Sequence, residues 1–144
     1  MKIIILLFSL INFTQVSLAS AKTFYFVVHP KNTEPAIELE RAKNIILKKI
    51  KRWDSGNKIQ VFLPDGSSFP HILKGVFNMD TFRWEEYWGE ETLRTGMKPP
   101  LRLKSELSII RNISKNKKAF GILSDTKFNI ENNKKLKVVL KIEI

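Results

Sequence analysis

The chain has 144 residues, with 25 basic side chains against 14 acidic ones, two histidines and no cysteine. Disulfide scaffolds and the usual Cys/His zinc frameworks are therefore excluded, and an apolar share of 43% argues against disorder and suffices for a core. A net charge of +11 points to anionic partners without naming one.

Met1-Lys2 is a short positive start, and Ile3–Phe13 is an apolar run broken only by Ser9 and Asn12. Ala19-Ser20-Ala21 then supplies a small-residue cleavage pattern, so residues 1–21 read as an export signal cut after Ala21. The run falls short of the ~20 residues that a membrane span needs. With no cysteine to acylate, the exported protein is not expected to be a lipoprotein.

Thr23–Val28 (TFYFVV) has the continuous apolarity of a strand buried on both faces, ended by His29-Pro30-Lys31-Asn32. From about Pro35 to Ile50 the pattern turns helical, with Leu39, Ala42, Ile46 and Ile50 three or four residues apart. Arg41, Lys48, Lys49, Lys51 and Arg52 suit the negative end of that helix's dipole. Trp53–Asn57 is turn chemistry, and Lys58–Leu63 a second strand.

After Pro64–Ser68, the residues Phe69, Ile72, Leu73, Val76 and Phe77 form the best helical stripe in the chain. Ser67 or Ser68 is a natural N-cap, and Pro70 is tolerated in a first turn. Asp80 caps a further helix that carries Trp84, Tyr87 and Trp88 on one side. Gly96–Pro100 reads as an extended loop, Ser105 to about Ser114 as a helix, and Ala119–Leu123 as a third strand. Lys137–Ile144 alternates weakly, as an edge strand would. The expected core holds Leu39, Ala42, Ile46, Phe69, Leu73, Val76, Phe77 and Gly121. Strands alternating with helices imply an α/β layer structure with a mostly parallel sheet flanked by helices, whose ligands bind beyond the carboxyl ends of the strands.

The strand-to-helix junction Asp65-Gly66-Ser67-Ser68 is the candidate site for a small anion. A helix start offers free N–H groups and the positive dipole end, Gly66 permits close approach, and the two hydroxyls can donate. The alternative is an ordinary capped helix after a turn. No catalytic residue, metal ligand or cofactor is assigned. His29 and His71 have no metal-ligand spacing, and no nucleophile-elbow, phosphate-loop or dinucleotide fingerprint occurs. Glu85-Glu86 and Glu90-Glu91 read as solvated charges, and an enzyme is not expected. Trp84 and Trp88 share a helix face, which suits a core better than a base-stacking platform, and export makes nucleic acid an unsuitable partner. Lys115–Lys118 and Lys134-Lys135 read as solvated loops, or as contacts to anionic lipid or lipopolysaccharide at a membrane surface.

Residues 24–125 resemble, in the order of their motifs, the single-lobe periplasmic-binding-protein-like family related to the phosphate-binding proteins of phosphate ABC transporters. The opening strand and Pro/Asn loop match Val27–Asn32. The family's helix ending Ile-Phe-Leu-Gly-Lys, followed by Trp before Asp-Gly, matches Ile45–Lys49 and Trp53–Gly56. A strand, a Ser-rich helix start and a late Phe match Ile59–Phe77. Tyr87-Trp88, the Gly96–Pro100 loop and Ala119–Ile122 follow in order. The resemblance implies one α/β lobe over residues 22–126, with 127–144 as a basic C-terminal tail and edge strand. With the export signal it also implies a periplasmic location. It implies a solute-binding module for phosphate or a similar oxyanion, with a membrane transporter or another envelope protein as partner. The alternative is an accessory protein that keeps the lobe without a ligand. In full-length relatives the matching turn reads Arg-x-Asp-Gly-Ser-Gly-Thr. Asp65, Gly66 and Ser67 match it, whereas Ser68 stands for Gly and Leu63 for the arginine. Lys48 for Gly and Ile122 for Tyr are further departures. His29 and Lys31, after the first strand, are candidates for the missing positive charge, on the premise that this strand end adjoins the turn.

Overall fold

The computed structural model describes residues 21–124 and 126–144, so the expected export signal, apart from Ala21, lies outside the described residues. Five strands form one sheet: β1 (Thr23–Val28), β2 (Gln60–Pro64), β3 (Leu101–Leu103), β4 (Ala119–Leu123) and β5 (Lys137–Glu143), in the order β3-β2-β4-β1-β5. β2 runs parallel to both β3 and β4, while β1 runs antiparallel to β4 and β5. The sheet is therefore mostly parallel, with one reversed strand inside it. β1 puts Phe24, Phe26 and Val28 on one face and Tyr25 and Val27 on the other, each in a separate apolar cluster. That is why its sequence shows no polar alternation.

Helices cover both faces. The α1 helix (Leu39–Ile46) and the α2 helix (Ser68–Ile72), which runs on as a π-helical turn over Leu73–Phe77, pack on the Phe24 side with α3 (Thr81–Thr95). On the Tyr25 side α4 (Glu106–Lys115) lays Ile109, Ile110 and Ile113 against Phe62 and Ala119. Asp80 accepts a hydrogen bond from the Arg83 N–H, so it caps α3 as its sequence position suggested. Trp84 stacks edge-on against Phe69 at 5.7 Å and Trp88 at 5.8 Å, and both tryptophans belong to the core. Ala42, Ile46, Phe69, Leu73 and Val76 are buried as expected, while Leu39 and Phe77 are half-buried at the margin.

Three expectations are corrected. The helix read over residues 35–50 shrinks to α1, because Glu38 is extended and Lys48 turns left-handed at φ 56°. Neither Ser67 nor Ser68 caps α2 through its side chain: Ser67 occupies the cap position with helical backbone and no cap hydrogen bond. The third correction adds β3 directly after the Gly96–Pro100 loop, in a stretch too short to declare itself by alternation. The segment 127–144 supplies β5, which pairs with β1 and buries Leu136 and Val139. Among the described residues no helix is long and apolar enough to cross a membrane.

Candidate functional site

β1 begins, and β2, β3 and β4 end, at the same edge of the sheet. A cleft of about 360 Å³ opens there, lined by Lys22, Thr23, Phe24, Ser67, Ser68, His71 and Ser124 beside Ala21. Its walls come from three separate chain passages: the entry to β1, the β2–α2 turn and the residue after β4. Each arrives for a local reason. Gly66 takes φ +75°, a conformation that side chains rarely adopt, and so reverses the chain between Pro64 and the start of α2. Ser124 follows the fully buried strand Ala119–Leu123, where the chain first reaches solvent.

Of the four residues read from sequence as an anion site, Ser67 and Ser68 line this cleft, while Asp65 and Gly66 build the turn behind it. The Asp65 N–H donates to the Leu103 carbonyl at 2.8 Å, and its carboxylate lies 3.8 Å from Arg102 Nε. Arg102 also sits over the Phe69 ring at 4.5 Å, so the turn is anchored to β3 from outside. Ser67 makes no side-chain hydrogen bond among the described residues, which leaves its hydroxyl for the cleft.

Glu106, at the first position of α4, is 9% exposed and lies behind Ser124. Its Oε1 accepts both the Ser124 N–H at 2.6 Å and the Ser124 hydroxyl at 2.8 Å. Ser124 Oγ also lies 3.3 Å from Ser68 Oγ. A hydroxyl has one proton, and the shorter, charge-assisted bond to Glu106 takes it. Ser124 therefore presents lone pairs toward Ser68, whose hydroxyl donates to them, and the donors left to the cleft are the Ser67 hydroxyl, the Lys22 ammonium and His71.

His29 and Lys31 do not join this cluster. β1 is antiparallel to β4, with Val28 opposite Phe120, so the end of β1 lies at the opposite edge of the sheet. The His29 imidazole instead accepts the Lys31 N–H at 3.0 Å through Nδ1. The lysine that lines the cleft beside the turn is Lys22, at the beginning of the same strand. Leu63, where the resembled family pattern has arginine, is fully buried in the α1–α2 face of the core and is not among the residues lining the cleft. Sequence reasoning missed Lys22, Glu106 and Ser124. The rule that ligands sit beyond strand carboxyl ends could have flagged Ser124, but nothing local announces that β1 is reversed.

No family model and no curated protein matches the chain by sequence. Solved structures do match by fold. An ABC-type phosphate transport receptor from Vibrio cholerae superposes with a TM-score of 0.60 at 17% identity, covering 83% of this chain and 46% of that one. A putative phosphate ABC transporter substrate-binding protein with bound phosphate from Clostridium perfringens gives 0.62 at 16%, covering 83% and 44%. PstS from Borrelia burgdorferi gives 0.62 at 17%, covering 83% and 47%. The chain thus has a periplasmic-binding-protein-like fold and spans less than half the length of these phosphate-transport proteins.

Proposed function

We propose that the chain is an exported, periplasmic solute-binding-like module that takes phosphate or a similar small oxyanion weakly in the Ser67–Ser68–Ser124 cleft. The observation that carries this reading is the convergence of two serine hydroxyls, one of them unbonded, with a lysine and a histidine at the strand ends of a fold shared with phosphate-transport receptors. Two features make the affinity low. The arginine of the related turn is Leu63, which removes a bidentate guanidinium. Glu106 behind Ser124 also accepts both Ser124 donors, which are then lost to an anion. With solvent on its open side, the site should bind with a Kd of ~0.1–10 mM, about −3 to −5 kcal/mol, and weaken with salt.

A phosphate titration followed by backbone amide shifts tests this. Shifts clustered at Asp65–Phe69 and Ser124, abolished in Ser67→Ala/Ser68→Ala and reduced in Lys22→Gln, are expected. Diffuse shifts over the lysine loops, indifferent to those variants, would overturn it. The second reading, an accessory protein that has kept the lobe and lost the ligand, is favoured by α3, where Phe82 is 75% and Leu93 91% exposed. A transporter or another envelope protein is the partner that either reading calls for.

A further inference from the structure

The sheet edge opposite the cleft is where β1 ends and the other four strands begin, and lysines collect there. Lys31 follows β1, Lys58 precedes β2, Lys98 precedes β3, Lys118 precedes β4 and Lys135 precedes β5. All five are exposed, and none is ion-paired among the described residues. Sequence spacing does not announce this cluster. Each lysine lies in a different loop, and the strand directions bring them to one pole.

Within this pole lies a second cavity, of about 300 Å³, between the end of α1 and the turn into β2. Its floor is Ile45, Ile50, Ile59 and Val61, its rim is Lys48, Lys51, Arg52 and Lys58, and no carboxylate lines it. Two of the rim cations are occupied: Lys48 Nζ donates to the Lys98 carbonyl at 2.7 Å and Arg52 to the Gly56 carbonyl at 2.8 Å. The Lys51 and Lys58 side chains have no partner among the described residues. The nearby Asp54 carboxylate pairs with Arg41 at 2.9 Å and makes no ion pair with either lysine.

We propose that this pole docks on an anionic phospholipid surface, with a headgroup phosphate between Lys51 and Lys58 and the glycerol–acyl end over the isoleucine floor. Charge complementarity selects an anionic partner, and the apolar floor selects an amphipathic one over a free ion. A single-stranded nucleic acid would want exposed aromatic faces to stack on, and Trp53 in the adjoining turn is buried. Docked this way, the protein turns its cleft away from the bilayer. The inference does not depend on the cleft binding anything.

Co-sedimentation of the protein lacking its export signal tests it, using phosphatidylcholine vesicles with and without phosphatidylglycerol. Binding should require phosphatidylglycerol and fall with added salt. Each basic side chain near an anionic surface contributes roughly a fivefold gain in partitioning, so Lys51→Gln/Lys58→Gln should lose about tenfold or more. Lys104→Gln, an exposed lysine beyond the other end of β3, should change it little. Soluble dihexanoyl phosphatidylglycerol should move the amides of Ile50, Lys51 and Ile59 in the unaltered protein, which checks the pocket without any variant. Equal binding to neutral vesicles, equal losses in the pole and Lys104 variants, or the same amide shifts with inorganic phosphate would each overturn the proposal. So would tighter binding to a single-stranded oligonucleotide lost in the same double variant.

Discussion

Lys48 has a left-handed backbone, φ 56°, at the point where α1 stops and the chain turns toward Trp53. A side chain there costs about 1–2 kcal/mol relative to glycine, partly offset by the entropy a glycine loses. The family pattern that the sequence resembles has glycine here, and the left-handed backbone is a physical reason for one: the turn needs that conformation, whichever residue occupies it. Lys48 gains a bond to the Lys98 carbonyl in exchange. Alanine loses that bond and keeps the strain, while glycine loses the bond and relieves the strain. Lys48→Gly is therefore expected to be about 1 kcal/mol more stable than Lys48→Ala in urea melts. Equal stabilities would mean that the left-handed turn is not held in solution. Glu34 works at the same scale, buried at 4% and accepting the Asp54 N–H at 2.8 Å and Arg41 at 3.2 Å, which ties the loop after β1 to the turn before β2.

At the scale of elements, the stripe Phe69–Phe77 was legible because its period matches a helix, and four of its five members stay buried for that reason. The periodicity could not separate Leu73, fully buried, from Phe77, which is only half-buried where the π-helical turn widens the spiral. Leu73→Ala is expected to cost ~2–5 kcal/mol by denaturant titration, and Phe77→Ala less. A midpoint unchanged for Leu73→Ala would show that the stripe does not face the sheet. In α3 the buried seam is only Trp84 and Trp88, so Phe82→Ser on the outer face should shift stability by no more than about 0.5 kcal/mol. A larger loss would mean that Phe82 is covered in solution. Gly121 in β4 has the opposite constraint: a Cβ there would lie 2.8 Å from Ile109 Cγ2, so α4 packs directly on the strand backbone.

Across the whole molecule, β1 is the pivot. It pairs with β4 on one side and β5 on the other, and its two faces enter both cores. Without β5 it becomes an exposed edge that has lost the cover of Leu136 and Val139. A chain stopped at residue 126 is expected to lose its cooperative thermal transition, followed by circular dichroism; a sharp melt retained would show that residues 127–144 are dispensable to the lobe. The reversed direction of β1 also divides the charge. It brings Lys22 to the cleft and leaves His29 and Lys31 at the lysine-rich pole, so one strand contributes to two surfaces that face opposite ways.

By itself the sequence determined the elements and their buried faces: the strand at Thr23–Val28, the capped helix at Asp80 and the Phe69 stripe follow from local hydrogen bonding and hydrophobic period. It also placed a turn with two serines at a strand end. The direction of β1, the brief β3 and the company of Ser67 and Ser68 were decided only by the tertiary structure. Period and propensity are the same for a strand running up or down a sheet, and three residues are too few for an alternation. Glu106 and Ser124 come from segments 39 and 57 residues beyond Ser67 in the chain. They meet the serine turn because β2 and β4 are parallel neighbours, an arrangement fixed by how both faces of the sheet are buried.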